Sequence, residues 1–342
     1  MNLVFAHFGS PVPKHLAKNL KRATLLFPTH QIILVTDLPI EKSKFEKVFT
    51  YKYAHTQNWY KLQSQLKHSR DFRDNFWFTS SARFLALADF SNSFKEEFLH
   101  IESDVIIADD FPFEKLSNTN YDFMFPIVSD SNAIASTLYI KNSKAANYLA
   151  NFALSESQKN NLTTDMYILR ELSKRAALEF APLPTAPTDS YEKLKSKDKF
   201  LQMSDSLISN LGGVFDGFDL GRYLFGDDPR NKRGFSIVRD TDSRTYLDVR
   251  NLNLVMRPER DFPFLRNNSS GFEMPVFSLH IHSKNLDLFE LKKSKPMIKN
   301  FVLKSKKESK TIFVFSVFIN SAFRSFKRRL KRVAINYKNL LT

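Results

Sequence analysis

The segment Phe98-Leu99-His100-Ile101-Glu102-Ser103-Asp104-Val105-Ile106-Ile107 sets two carboxylates one residue apart at the end of an apolar strand, with a second apolar stretch behind them. Acids so placed can hold a divalent cation against a diphosphate. Charged side chains inside such an apolar run are rarely buried unless they are paired or metal-bound, and the carboxyl edge of an open sheet is where sites of this kind form. The same residues also read as an ordinary strand terminus with surface acids. A second constellation, Phe277-Ser278-Leu279-His280-Ile281-His282-Ser283-Lys284, delivers two histidines and a lysine. If one strand runs through it, His280, His282 and Lys284 share a face and Ser283 points the other way. One imidazole would then complete an oxygen-rich metal site, and the lysine would neutralise a phosphate.

The elements that must position these groups alternate short apolar strands with helical stretches, the pattern of a mostly parallel sheet covered by helices. Strands are expected at Leu3–Phe8, Ile32–Thr36, Val48–Tyr53, Phe98–Ile101, Phe123–Val128 and Thr137–Ile140. Helices are expected over His15–Leu26, after the turn Gly9-Ser10-Pro11, and over Asn75–Phe90, Ser143–Leu154 and the stretch ending at Lys174. Asp37 closes the second strand, where an acid meets a ribose or base, or caps the turn before Pro39. Arg83 lies among small and apolar neighbours, either as an exposed helix arginine or as a cation within reach of a diphosphate. Thr164 or Asp165 can cap the helix that follows. The run from Ala181 to Lys199, rich in Pro, Thr, Lys and Ser, reads as a surface loop or a join between two halves. Six of the eight glycines fall between Gly212 and Gly234, a region that needs unusual backbone angles or close approach to something.

Composition sets outer bounds. A chain of 342 residues, 42% hydrophobic and 25% charged, is ordinary for a globular protein with a sizeable core. With no cysteine, it has no disulfide, thiolate metal site or cysteine nucleophile, so any metal must be held by oxygen or imidazole. No signal peptide or transmembrane helix is expected, because the first residues read directly as a strand and the apolar run Thr311 to Phe323 is too short to span a bilayer. The net charge of +15 suggests nucleic acid until it is located. From Asn285 to Thr342 fifteen Lys or Arg stand against Asp287, Glu290 and Glu308, a local balance of +12. A nucleic-acid-binding protein is therefore a rival reading centred on the tail alone. Basic residues interleaved with Phe and Leu in Phe323-Arg324-Ser325-Phe326-Lys327-Arg328-Arg329-Leu330 instead describe a segment lying in an anionic membrane surface.

The order of these features, from the strand with His7 through Asp37, Arg83, Glu102-Ser103-Asp104 and Thr164-Asp165 to His280-Ile281-His282-Ser283-Lys284, resembles bacterial GT-A type glycosyltransferases. The resemblance is to the group that builds surface polysaccharide such as capsule and lipopolysaccharide. Glu102-Ser103-Asp104 matches that family's Asp-X-Asp motif in variant form. Phe215-Asp216-Gly217 and Gly226-X-Asp228-Pro229-Arg230-Asn231 look like recurrent features of one branch. Coverage runs from Met1 to Lys284. This implies a GT-A-like domain over 1–284, with a nucleotide-binding half at about 1–180 and an acceptor-side half at about 200–284, followed by a basic amphipathic tail over 285–342.

The resemblance further implies a nucleotide-diphosphate sugar donor, a glycan or lipid-linked glycan acceptor, and Mn²⁺ or Mg²⁺ bridging the acids and the diphosphate. Asp104 is the expected ligand. Glu102 replaces the family's first Asp, and its longer side chain reaches either the metal or the ribose and a bound water. The compact His-to-Lys spacing leaves His280 and His282 both open as ligands. Lys284 and Arg83 would stabilise the leaving diphosphate, and Asp165 would bind sugar hydroxyls or act as the base on the acceptor. His7 and Asp37 would line the nucleoside pocket, while Ser103 and Asp216 face substrate. The implied location is cytoplasmic and peripheral, on the inner face of a bacterial membrane. A nucleotidyltransferase or hydrolase on the same fold is the third reading, since fold alone does not fix chemistry.

Overall fold

The computed structural model describes residues 1–286 except 41–44, 69–74, 176, 192–197, 226–244, 248–251, 256, 258, 259, 261, 268, 269 and 285. The basic tail and the Gly226 to Asn231 element therefore lie outside the described residues. Its elements run β1 (Asn2–His7), α1 (Lys14–Leu26), β2 (Ile32–Thr36), β3 (Val48–Lys52), α2 (Gln57–Gln65), α3 (Phe76–Phe94), β4 (Phe98–Ile101), β5 (Val105–Ile107), α4 (Phe113–Ser117), β6 (Phe123–Phe125) and β7 (Thr137–Ile140). There follow α5 (Ser143–Lys159), α6 (Asp165–Arg175), β8 (Phe180–Pro182), α7 (Lys199–Gln202), α8 (Ser204–Leu211), β9 (Val214–Phe215), α9 (Asp219–Phe225), β10 (Asn253–Val255), β11 (Phe264–Arg266) and β12 (Glu273–His280).

The expected α/β class, a mostly parallel central sheet flanked by helices, is what the structure contains. Seven strands lie in the order β3-β2-β1-β4-β7-β6-β8. Pairings from β3 to β4 and between β6 and β8 are parallel, and β7 alone runs against its neighbours. Period-two alternation divides the core: Leu3, Phe5, Ile32, Leu34, Leu99 and Ile101 face α1, whereas Val4, Ile33, Val35 and Phe98 face α3 and α5. The central strands are buried on both faces and so read as unbroken apolar runs. Helix α3 is buried over most of its length, with Ser80, Ser81 and Arg83 among its buried residues.

A smaller sheet, β10-β11-β12-β5 with β9 beside β12, is antiparallel except for the β9 pairing. Through β5 and β12 it joins the carboxyl end of β4 to the late His/Lys segment. Two local expectations are corrected. The Pro-rich run after Ala181 is not wholly a surface loop: it opens in β8, a sheet edge where Pro182 breaks no central ladder, and Leu183 to Ala186 stay buried. The late strand ends at His280, so His280, His282 and Lys284 do not share a strand face. Ile281 N–H donates to the Asp104 carbonyl (2.7 Å), Lys284 N–H donates to the Ile281 carbonyl (2.7 Å), and Lys284 takes a left-handed φ of 55°. Among the described residues no helix is long and apolar enough to cross a membrane.

Candidate active site

The sheet's topology brings the chemistry to one edge. Strands β1, β2 and β4 are parallel, so the residues just past His7, Thr36 and Ile101 emerge at their common carboxyl side. Past β4 the chain turns at once into β5, with Val105 N–H bonded to the Glu102 carbonyl (3.0 Å). Helix α1 holds this turn from the side. Asn19 Nδ2 donates to the Val105 carbonyl (2.5 Å) and the Ser103 carbonyl (3.3 Å), and His15 Nε2 meets Ser103 Oγ at 3.2 Å. His15 and Asn19 are four apart, hence on one helix face. Ser103 thus has its hydroxyl and carbonyl engaged within the protein.

Glu102, Asp104 and His280 each offer a ligand atom, and these atoms lie within 4.8 Å of one another. His280 Nε2 stands 3.4 Å from Asp104 Oδ1 and 3.5 Å from Glu102 Oε2. Its other nitrogen, Nδ1, lies 3.0 Å from the Gly217 carbonyl, so it carries the hydrogen and aims Nε2 at the acids. Lys284 Nζ donates to Asp104 Oδ2 at 2.6 Å. Across the cluster Arg83 lies between two carboxylates, donating to Glu102 Oε1 at 2.5 Å and to Asp165 Oδ2. It is 8% exposed, which excludes the exposed-arginine reading.

Charge is concentrated here under low solvent exposure. Burial alone would raise the Asp104 carboxyl, but Lys284 and His280 hold it well below the usual carboxylate range. Burial is likewise outweighed at Glu102 by Arg83 and His280, which lower it. At Asp165 burial wins over Arg83 and pushes the carboxyl up. His280 rises to about 9: burial works against its charge, and the acids at Asp104 and Glu102 prevail. A proton on His280 and the Lys284 ammonium therefore stand where cationic charge is demanded. The donor set of two carboxylates and an imidazole with Nε2 oriented fits a hard or borderline divalent ion such as Mn²⁺ or Mg²⁺. Binding such an ion would displace that proton.

The structure brings His280, not His282, into the three-donor cluster. The His282 ring stacks on His280 at 4.0 Å, and its buried Nε2 has no hydrogen-bond partner. Burial and the charge of His280 push it well below the ordinary histidine value.

Asp216, expected to face substrate, is corrected to a positioning role. It is 1% exposed, and its carboxylate accepts the N–H groups of Leu220 (3.0 Å), Gly221 (2.7 Å) and His280 (2.9 Å). It ties the start of α9 to the end of β12.

His7 and Asp37 meet at the edges of β1 and β2, where both pin the loop after β1. His7 Nε2 lies 2.9 Å from the Ser10 carbonyl, and Asp37 accepts the Gly9 N–H at 3.0 Å and faces His55 Nε2 at 3.0 Å. Asp37 thus ties the end of β2 to the loop after β1. No sequence motif marks His55, whose ring stacks on Trp59 at 4.2 Å, nor His15 and Asn19, which hold the β4 turn. Their spacing on α1 was a usable signal only once the β4 turn was known to lie against it. His100, two residues before Glu102, is fully buried with Nδ1 on the Val4 carbonyl (3.0 Å), and its pKa is pushed down to about 3 by burial and by Arg83.

No protein-family model matches the chain, and no curated protein matches it. Among solved structures it is similar to the galactosyltransferase LgtC in complex with donor and acceptor sugar analogues, at 13% identity over 60% of this chain and 82% of that one, TM-score 0.42. It is also similar to mouse xyloside xylosyltransferase 1, at 9% identity over 61% of this chain and 93% of that one, TM-score 0.36. A cytidylyltransferase from Leptospira borgpetersenii serovar Hardjo-bovis matches at 11% identity over 54% and 75%, TM-score 0.34. Likenesses of this extent assign no chemistry.

Proposed function

We propose that the chain is a GT-A type glycosyltransferase that moves a sugar from a nucleotide-diphosphate donor to a glycan or lipid-linked glycan acceptor. The observation that carries this reading is the convergence of Glu102, Asp104 and His280 within 4.8 Å at the carboxyl edge of the sheet, ringed by Lys284 and Arg83. Such a cluster is suited to a diphosphate, because cationic groups flank an acidic, metal-competent centre. In the transfer the bond between the anomeric carbon and the diphosphate oxygen breaks, the acceptor oxygen bonds to that carbon, and the acceptor proton leaves to a base. Mn²⁺ or Mg²⁺ held by Asp104, His280 and Glu102 would supply electrostatic stabilisation of the departing diphosphate.

The chain's own residues do the rest. Lys284 releases Asp104 and swings its ammonium to a phosphate oxygen, where negative charge develops. Arg83 stays charged and holds Glu102 and Asp165 in fixed positions. Asp165, held by Arg83, binds donor-sugar hydroxyls or takes the acceptor proton. The loop pinned by His7 and Asp37 forms one wall of the nucleoside pocket. Residues 285–342 hold the enzyme against an anionic membrane, where a lipid-linked acceptor resides, consistent with a role in bacterial surface polysaccharide at the cytoplasmic face.

Incubating the protein with diphosphate sugars, Mn²⁺ and glycan acceptors and identifying the products tests this. A sugar-extended acceptor with free nucleoside diphosphate is expected. A nucleotidyl product with release of pyrophosphate would replace this reading with the nucleotidyltransferase one.

A further inference from the structure

Away from the acidic cluster, α8 and the β11–β12 hairpin flank an open cleft of about 360 Å³. Its size falls in the ~300–1,000 Å³ range of small-molecule sites. Buried Pro187, Ile208 and Met274 line it with apolar surface, and exposed Asp189, Asp205 and Phe272 line it with carboxylates and an aromatic ring.

The lining is held in place. Asn267 Nδ2 donates to both oxygens of Asp189 at 3.0 Å, and Asp205 Oδ1 accepts the Thr188 N–H at 3.0 Å. Asn267 N–H donates to the Phe272 carbonyl (2.9 Å) and Gly271 N–H to the Asn267 carbonyl (2.9 Å), with Gly271 at a φ of 72°. The hairpin thus presents Phe272, 64% exposed, from a hydrogen-bonded turn.

We propose that this cleft binds a neutral saccharide unit, as a second glycan site apart from the transfer centre. The exposed Phe272 ring suits the C–H face of a pyranose, and the fixed carboxylates of Asp189 and Asp205 accept its hydroxyls. Two acids at the opening repel a diphosphate, so this is not a second donor site. Met274 lines the cleft and His280 ends the same strand six residues on. At ~3.3 Å per residue the two sites lie about 20 Å apart, several sugar units along an acceptor chain. Calling the ligand an acceptor glycan rests on the transfer reading; the saccharide chemistry of the cleft does not.

The test is saturation-transfer NMR on the full chain with methyl glucoside, methyl galactoside, lactose and N-acetyllactosamine, comparing wild type with Phe272→Ala, Asp205→Asn and Asp104→Asn. Phe272 and Asp205 are exposed, so both substitutions leave the core intact. Saturation of at least one sugar is expected, with affinity weakened about tenfold (~1.4 kcal/mol) in Phe272→Ala and Asp205→Asn and unchanged in Asp104→Asn. Sugar signals unaffected by Phe272→Ala, or absent with every sugar, would overturn the second site and leave the transfer reading standing. Phe272-dependent binding in a protein that makes no transfer product would sustain the site and remove the transfer reading.

Discussion

At the residue scale, each charge in the cluster is tied to an opposite one, so single substitutions should be costly in predictable ways. Arg83→Met strands Glu102 and Asp165, both largely buried, and should destabilise the fold by ~3–5 kcal/mol in urea unfolding. The triple variant Arg83→Met, Glu102→Gln, Asp165→Asn should recover much of that loss, since no unpaired charge remains. Equal loss in the single and triple variants would mean that packing, not charge, sets the cost. Asp104→Asn should cut transfer by roughly 10²–10³-fold, the range for removing one group that stabilises developing charge.

The acidic pair was visible in the sequence only as one of two alternatives, a site or a strand end with surface acids; what separates them is that Asp104 is 6% exposed and Lys284, Arg83 and His280 close on the pair. Arg83 was legible only as one of two alternatives, since whether a helix arginine is buried depends on which neighbours cover it. The choice between His280 and His282 was not legible. It turns on where β12 stops, and that is decided by the Ile281 bond to the Asp104 carbonyl, a contact between segments far apart in the chain.

At the element scale, the position of His280 depends on how closely α9 approaches β12. A Cβ at Gly221 would lie 2.0 Å from the His280 carbonyl oxygen, so no side chain fits there. Gly221→Ala should cost ~1–3 kcal/mol and shift His280 off the acids, seen as a lowered Tm and a weakened response to Mn²⁺. An unchanged Mn²⁺ response would show that the cluster does not depend on this packing. The glycine concentration was visible in the sequence, but its cause was not, because the atom it avoids belongs to an element more than fifty residues away.

Helix α6, which carries Asp165, is tied to α5 through Glu156, which is 3% exposed and bonds Lys159 (2.9 Å) and Arg175 (2.5 Å). Burial opposes the Glu156 charge, yet these partners lower its pKa. A carboxyl depressed in the folded state stabilises the fold above its unfolded pKa, and that stabilisation fades as pH falls through the folded value. Glu156→Gln should therefore lose about 1–2 kcal/mol at pH 7 and converge with wild type in strong acid. A constant difference at every pH would exclude the ionic contribution.

At the scale of the whole molecule, the central sheet was the most legible feature. Ile32–Thr36, Phe98–Ile101 and Thr137–Ile140 form strands with the bounds their apolar runs suggested, because burial on both faces leaves little room for polar residues. The second sheet was less legible, since β10 and β11 have three residues each and a pattern that short carries no period. The net charge belongs to the tail, so the tail should govern surface binding. Full-length protein should bind vesicles rich in anionic lipid and lose that binding when residues 290–342 are removed, with nucleotide binding retained. Vesicle binding that survives the truncation would remove the membrane role, and tight salt-dependent binding to RNA or DNA would favour the nucleic-acid reading.

The central claim is that Glu102, Asp104 and His280 hold a divalent ion against a nucleoside diphosphate. Its most direct test is thermal unfolding of wild type and Asp104→Asn with a panel of nucleoside diphosphates and diphosphate sugars, each with and without Mn²⁺, because a ligand of the native state raises stability. A Tm rise is expected with one nucleotide family, requiring Mn²⁺ and disappearing in Asp104→Asn. A wild-type protein that unfolds cooperatively yet shows no shift with any nucleotide and Mn²⁺, or a shift that Asp104→Asn retains in full, would contradict that claim.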